Sequence, residues 1–268
     1  MDLHTVSAYR TATGPDHLAL GPGERFLGGG TWLFSEPQDD ITGLVDLSGM
    51  GWPDWEITAE GGLRLGATCT IAELARIPAR PEWRAHPLVA QCTQALLASF
   101  KVWNSATVGG NICRSYAAAA IVSLCAALDG LAEVWAVDGT RRSVPVADIP
   151  TGNGTNALAV GDVLRAVELP ATALAARTGF RKIALNSIGR SGAVLTGRVD
   201  PGGAAVFTVT AATSRPAVLR YPALPTAGEL RSDAAAVTTY YTDPLGAADW
   251  RRQVSVVLLE EIRQELAA

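Results

Sequence analysis

No CxxC pair occurs in this chain, and its four cysteines, Cys69, Cys92, Cys113 and Cys125, are widely and irregularly spaced. That leaves no clustered thiolates for a zinc or iron–sulfur site and no disulfide framework. All four read as small core residues. The three histidines, His4, His17 and His86, are scattered, so neither a Ser-His-acid nor a His-Glu-His arrangement is legible. No apolar run reaches the ~20 residues of a membrane span, since the longest, Ala117 to Leu128, is interrupted by Ser123. The opening stretch MDLHTVSAYRTATGPDH lacks the apolar core of a secretory signal. Nor is there an excess of one charge. Lys plus Arg is 22 against 26 Asp plus Glu, a net charge of −4, which gives no footprint for nucleic acid or an anionic membrane. These absences predict a cytoplasmic protein that binds neither.

What is present is a folding chain. Hydrophobic residues make up 48% and charged residues 18% of its 268 positions, which excludes a disordered or coiled-coil class. A helix over Asp16–Leu20, a strand over Arg25–Leu27, a helix after Gly30 and a strand over Leu44–Leu47 form a first α/β unit. Leu63–Ala67 reads as a strand, followed by a short helix that Thr70 and Glu73 would close as a capping box. Apolar spacing predicts helices over Pro87–Leu97 and Ala117–Leu128, the second buried all round. Asp138-Gly139 signals a hairpin between Glu133–Val137 and Ser143–Val146. Thr151 to Asn156 reads as a loop and Val163–Leu169 as a strand. Pro170 to Gly179 reads as a linker. Beyond it, Ala193–Val199 and Ala204–Thr210 form a second hairpin. A last helix carries the stripe Trp250, Val254, Val257, Leu258, Ile262 and Leu266, with Asp249 as its N-cap. The class is α+β in two domains.

Two glycine runs carry the chemistry. Gly28-Gly29-Gly30-Thr31-Trp32 follows a strand, and Thr107-Val108-Gly109-Gly110-Asn111 precedes a helix. Successive amides beside a helix start make an anion site suited to phosphate. A tight turn with no ligand is the other reading, and for each run alone both stand. Neither is a phosphate loop of the nucleotide triphosphatases, because no Gly-Lys-Ser/Thr follows. The first is also a poor dinucleotide fingerprint, with Leu33 where the third glycine belongs. Taken together, the two runs fit a ligand with two phosphates clamped between subdomains.

The set of motifs resembles the flavin-binding medium subunit of molybdenum hydroxylases, the xanthine dehydrogenase and aerobic carbon monoxide dehydrogenase family. Leu27-Gly28-Gly29-Gly30-Thr31 is similar to its Ala-Gly-Gly-Thr loop. Leu44 to Ser48 follows at the expected distance. Leu65 to Leu74 is similar to its Ile-Gly-Ala-x-Thr-Thr-x-x-Glu-Leu. Asn104 to Ile112, the most specific stretch, resembles Asn-x-x-Thr-Ile/Val-Gly-Gly-Asn-Leu/Ile. Asp162 to Pro170 and Gly246 to Arg251 continue the likeness in order.

The resemblance implies a vanillyl-alcohol-oxidase-type (PCMH-type) FAD-binding domain of two subdomains over residues 1–172. A small α+β domain like the C-terminal domain of the CO dehydrogenase flavoprotein would occupy residues 173–268. It implies non-covalent FAD held by Leu27, Gly28, Gly29, Gly30, Thr31, Trp32, Ala106, Thr107, Val108, Gly109, Gly110, Asn111 and Ser115, with Lys182 beside the flavin ring. No catalytic acid or base and no metal site in this chain are implied. The partners implied are a small subunit with 2Fe–2S clusters and a large molybdopterin-binding subunit, in a heterotrimer. Electrons would pass from the clusters to the flavin and on to an external acceptor.

Several residues depart from the family pattern. Trp103 stands where Arg is frequent, and Trp32 where a small or polar residue is usual. Trp32 reads either as an aromatic packing on the core at a helix start or as a wall against the flavin. Arg114-Ser115-Tyr116 follows the second run, and Ala120 stands in place of an Asp expected to help hold the cofactor. Arg114 reads either as a charge toward phosphate or as half of a surface ion pair. The 186–192 segment, Asn186 to Gly192, replaces an Arg-rich run, so the loop over the flavin differs. Two other functions compete with the electron-transfer subunit. One is a flavin-free scaffold of the same complex. The other is a free-standing flavoenzyme such as UDP-N-acetylenolpyruvoylglucosamine reductase, for which Ser187, Ser191 and Ser214 form no matching arrangement.

Overall fold

The computed structural model describes residues 3–186 and 189–268, so Ser187 and Ile188 of the 186–192 segment lie outside the described residues. The chain opens with three short strands, β1 (Ala8–Thr11), β2 (Glu24–Leu27) and β3 (Gly43–Asp46), in a parallel sheet of order β1-β3-β2. The helix expected over 16–20 is only a 3-10 turn, Pro15–His17. Gly21-Pro22-Gly23 follows at once, and neither glycine nor proline sustains a helix.

The second unit is a five-stranded antiparallel sheet with helices on one side. Its strands are β4 (Trp55–Ile57), β5 (Leu63–Gly66), β6 (Leu131–Trp135), β7 (Arg141–Pro145) and β10 (Val163–Leu169), in the order β4-β5-β10-β6-β7. The 151–156 stretch is a small two-stranded ladder, β8 (Pro150–Gly152) with β9 (Thr155–Asn156). Between β5 and β6 run α1 (Ile71–Ala75), α2 (Pro87–Ala95), α3 (Phe100–Trp103), α4 (Val108–Arg114) and α5 (Ala120–Ala127). Thr70 caps α1 by accepting the Glu73 amide at 3.2 Å. The reciprocal half of the expected box is missing, because the Glu73 carboxylate pairs with Arg76. Every residue of α5 is buried, as its unbroken apolar composition requires.

The third unit begins sooner than the linker reading predicted. After α6 (Ala171–Leu174) the chain enters β11 (Arg177–Ala184) directly. β12 (Ser191–Val199), β13 (Ala205–Thr210) and β14 (Ala217–Tyr221) complete an antiparallel meander. α7 (Ala227–Ala236) and α8 (Ala248–Ala267) follow. α8 packs on β11 and β12, while α5 of the second unit reaches β12 and β13. Covered on two sides, β12 and β13 are buried almost without interruption. Ser123 of α5 and Thr210 of β13 share a buried hydrogen bond of 2.7 Å. Arg198 of β12 donates to the Ala127 carbonyl at 2.7 Å and pairs with Asp129, and Arg220 of β14 pairs with the same carboxylate at 2.6 Å.

Two details of α8 correct the sequence reading. Its N-cap is Ala247, and the Asp249 carboxylate accepts only the next amide, from Trp250. Its buried stripe is Arg251, Ser255, Leu259, Ile262 and Leu266, whereas Val257 is exposed. A pattern read on hydrophobicity skips an arginine. Here the Arg251 guanidinium is fully buried because it donates to the carbonyls of Gly192 and Ala211 and pairs with Asp243.

Candidate functional site

The first glycine run leaves β2 at Leu27 and turns rather than continuing into a helix. Gly30 takes the left-handed conformation, φ +69°. The Phe34 amide then returns to the Gly30 carbonyl at 2.9 Å, and the Ser35 amide to Trp32 at 2.9 Å. Three glycines entering the turn and Pro37 leaving it explain why the expected helix does not form. The consequence is chemical. Among the described residues, the amides of Gly29, Gly30, Thr31, Trp32 and Leu33 meet no protein acceptor.

The second run is itself the first turn of α4. Thr107 is the N-cap, and its Oγ1 accepts the Gly110 amide at 3.1 Å. The Asn111 amide donates to the Thr107 carbonyl at 2.9 Å, Val108 to Cys69 at 2.9 Å and Gly109 to Ala67 at 2.8 Å. All four amides from Val108 to Asn111 are therefore already bonded. Asn111 also works outward: its Oδ1 accepts the Ile121 amide at 2.9 Å and so caps α5, whose own N-cap is Ala119.

The glycines divide by what a side chain would strike. A Cβ on Gly29 would overlap the Ser105 carbonyl, and one on Gly109 would lie 2.7 Å from Ala67 Cβ. These two let the runs close on their neighbours. A Cβ on Gly28 or Gly110 would meet nothing nearer than Thr107 Oγ1, at 3.0 Å in both cases. Both face a cavity of about 840 Å³, within the usual size of a ligand pocket.

Gly28, Gly29, Gly30, Thr31, Trp32, Ala106, Thr107, Gly110 and Asn111 line that cavity. Gly109 lines a smaller adjoining one of about 300 Å³, which shares Gly28, Thr107 and Gly110 and extends to Asn156–Leu164. Leu27 and Val108 are buried behind the lining. Ser115 is buried too. It is left-handed, φ 51°, and its hydroxyl donates to the Ile112 carbonyl at 2.7 Å. Lys182 stands apart, in a groove of about 580 Å³ with Trp103 and Asn104, a groove that meets the large cavity at Leu96 and Leu97.

The cavity wall holds a stacked trio. The Arg114 guanidinium lies 4.0 Å from the Trp32 ring centre and 4.1 Å from that of Tyr116. It donates to the Gly154 carbonyl at 3.0 Å and to the Tyr116 hydroxyl at 2.8 Å. Of the two sequence readings, the surface ion pair is wrong: no carboxylate among the described residues pairs with Arg114. Trp32 lines the cavity and starts no helix. Trp32 Nε1 and Arg114 Nε are buried with no protein partner, and such a donor costs about 1–3 kcal/mol while unmet. Spacing in sequence could not have shown the trio, since it joins the first turn to the far end of α4. Cys113 also lines both cavities, and burial pushes its thiol up to about 12, so it carries no thiolate at neutral pH. Ala120, where an acid was expected, begins α5 and is buried. Among the described residues no group of three or more His, Cys, Asp or Glu is placed to hold a metal ion, and no helix is long and apolar enough to cross a membrane.

Residues 6–172 match the family model for the FAD binding domain in molybdopterin dehydrogenase. The chain is 28% identical to the aldehyde oxidoreductase FAD-binding subunit of Escherichia coli (strain K12), over 60% of this chain and 67% of that one. Quinoline 2-oxidoreductase from Pseudomonas putida 86 has a similar fold, with a TM-score of 0.80 at 21% identity over 97% of this chain and 96% of that one. CO dehydrogenase from Oligotropha carboxidovorans matches with a TM-score of 0.80 at 19% identity, over 97% and 96% of the two chains.

Proposed function

The chain belongs to the family of FAD binding domains in molybdopterin dehydrogenases, and on that premise we propose that it is the FAD-carrying electron-transfer subunit of a molybdenum-containing hydroxylase. Its partners are a small subunit with 2Fe–2S clusters and a large molybdopterin subunit, assembled as a heterotrimer in the cytoplasm. We set the division between FAD-binding and C-terminal domains at residues 172 and 173. The observation that carries the reading is the first glycine turn, whose residues line the large cavity with amides that meet no protein acceptor.

The residues present suit a dinucleotide. Gly29 to Leu33 offer amides to an anion. Gly28 and Gly110 leave open backbone where a side chain would intrude. Two orphaned N–H donors, on Trp32 and Arg114, await acceptors. When bound, FAD supplies the redox chemistry, accepting electrons and releasing them to a second acceptor. The protein's own part is to hold and shield. In this reading Gly28, Gly29, Gly30, Thr31, Trp32, Ala106, Thr107, Gly110 and Asn111 form the cradle, with Gly109 on the adjoining pocket. Val108, Leu27 and Ser115 shape it from behind. Lys182, in the next groove, would stand beside the flavin ring, where a cation favours the reduced, anionic flavin.

The test is the visible absorption spectrum of the purified chain, with the mass of any chromophore released from it. An oxidised-flavin spectrum and about one FAD per chain are expected. A protein that stays colourless after incubation with FAD overturns the proposal in favour of a flavin-free scaffold, and Ala120 is the departure that would then account for it. Oxidation of NADPH with a sugar-nucleotide substrate by the chain alone would instead establish a free-standing reductase.

A further inference from the structure

We propose that Arg114 is the anion-recognising side chain of the large cavity and binds the pyrophosphate of the dinucleotide, a role that rests on the FAD reading above. Arg114 is a partly buried cation on the cavity wall, and no carboxylate among the described residues answers its charge. Its guanidinium carbon lies 4.0 Å from the Trp32 ring centre and 4.1 Å from that of Tyr116, and it is fixed at one edge by the Gly154 carbonyl and at another by the Tyr116 hydroxyl. A guanidinium so anchored has lost its rotamer freedom before any ligand arrives, and its remaining N–H groups form a planar fork suited to phosphate oxygens. Its Nε has no partner, and neither does the Nε1 of the tryptophan stacked on it. Two orphaned donors on touching side chains of one wall mark a place built for acceptors that the protein does not provide.

The second glycine run gives an independent reason. Its amides from Val108 to Asn111 are consumed by Thr107, Cys69 and Ala67, so the start of α4 has little left for an anion. Arg114 stands at the opposite end of the same short helix. The charge that the helix start no longer offers is supplied from the helix end. The other acidic and basic groups on the cavity do not fill this role. Arg25 is paired with Asp40 at 3.1 Å, and Glu36 has the wrong sign. Arg190 also lines the cavity, but its guanidinium is 5.9 Å from the Tyr116 ring and lacks the two hydrogen bonds that fix Arg114.

The experiment measures equilibrium binding of FAD and of riboflavin to the full chain stripped of flavin, followed by flavin fluorescence. Riboflavin has the ring without the phosphates. Arg114→Met is expected to weaken FAD binding roughly ten- to hundredfold while leaving riboflavin binding within about twofold of wild type. It should also flatten the dependence of FAD affinity on salt. Arg114→Lys, which keeps the charge without the fork, should lie between, and it serves if the methionine variant does not fold as judged by thermal melting. Equal affinity of Arg114→Met and wild type for FAD overturns the proposal. So does a parallel loss for FAD and riboflavin, which would make Arg114 a packing residue. A wild-type chain that binds riboflavin but gains nothing from the phosphates of FAD overturns it while leaving a flavin reading intact. A wild-type chain that binds neither overturns both.

Discussion

The two glycine runs look alike in sequence and differ in what they have left to give. The first ends a strand, turns through a left-handed glycine and keeps its amides free. The second begins a helix and uses its amides on Thr107, Cys69 and Ala67. A glycine run therefore does not by itself say whether backbone is on offer to a ligand. The accounting of where each N–H goes does. In this molecule the first run is a donor surface and the second is a joint.

Gly29→Val should break the comparison most severely, because its Cβ would overlap the Ser105 carbonyl and drive the two runs apart. A loss of about 3 kcal/mol or more in stability is expected, read by denaturant unfolding, together with loss of flavin binding. Gly110→Val should separate the two properties. Gly110 is helical, not left-handed, and its Cβ would point into the cavity with only Thr107 Oγ1 close. Stability should stay within about 1 kcal/mol of wild type, while FAD affinity falls by two orders of magnitude or so. Retention of full flavin content would mean that ligand does not approach the second run.

Thr107→Ala tests the joint alone. Removing the cap that holds the Gly110 amide should cost about 1 kcal/mol, with flavin affinity changing less than in Gly110→Val. The smallest expected effect concerns acid. The Arg10 guanidinium, with the Gly21 amide, holds the Glu24 carboxyl down at about 2, and Glu24 begins the strand that leads into the first run. A depressed carboxyl stabilises the fold above its ordinary range and loses that contribution as pH falls from about 4.5 toward 2. At pH 3 the amides of Phe26 and Leu27 should exchange hydrogen faster relative to those of Val108–Asn111 than at pH 7. Glu24→Gln should remove that pH dependence.

Much of this was legible in the residues. Strands β5, β10 and β13 alternate or run apolar between turn signals, and the motif around Thr107 to Asn111 points to the family that residues 6–172 match. The misses share one cause. The sequence shows propensity along the chain, whereas the helix after Gly30 fails through a local balance of glycine and proline. The face of α8 turns on a buried arginine, which hydrophobicity alone places in water. β14 and α7 were not foreseen, since Ala217–Tyr221 and Ala227–Ala236 carry weak patterns that are fixed by packing on β13 and α8. The pairing of Trp32 with Arg114 is a tertiary fact with no local signature.

The closeness of Gly29 to Ser105 sets a limit on the cleft. Where two backbones touch with no room for a methyl group, the two runs can move apart but cannot come nearer. At this seam the cavity is already as narrow as the chain can make it, so any tightening around a ligand must come from side chains or from the 30–35 turn.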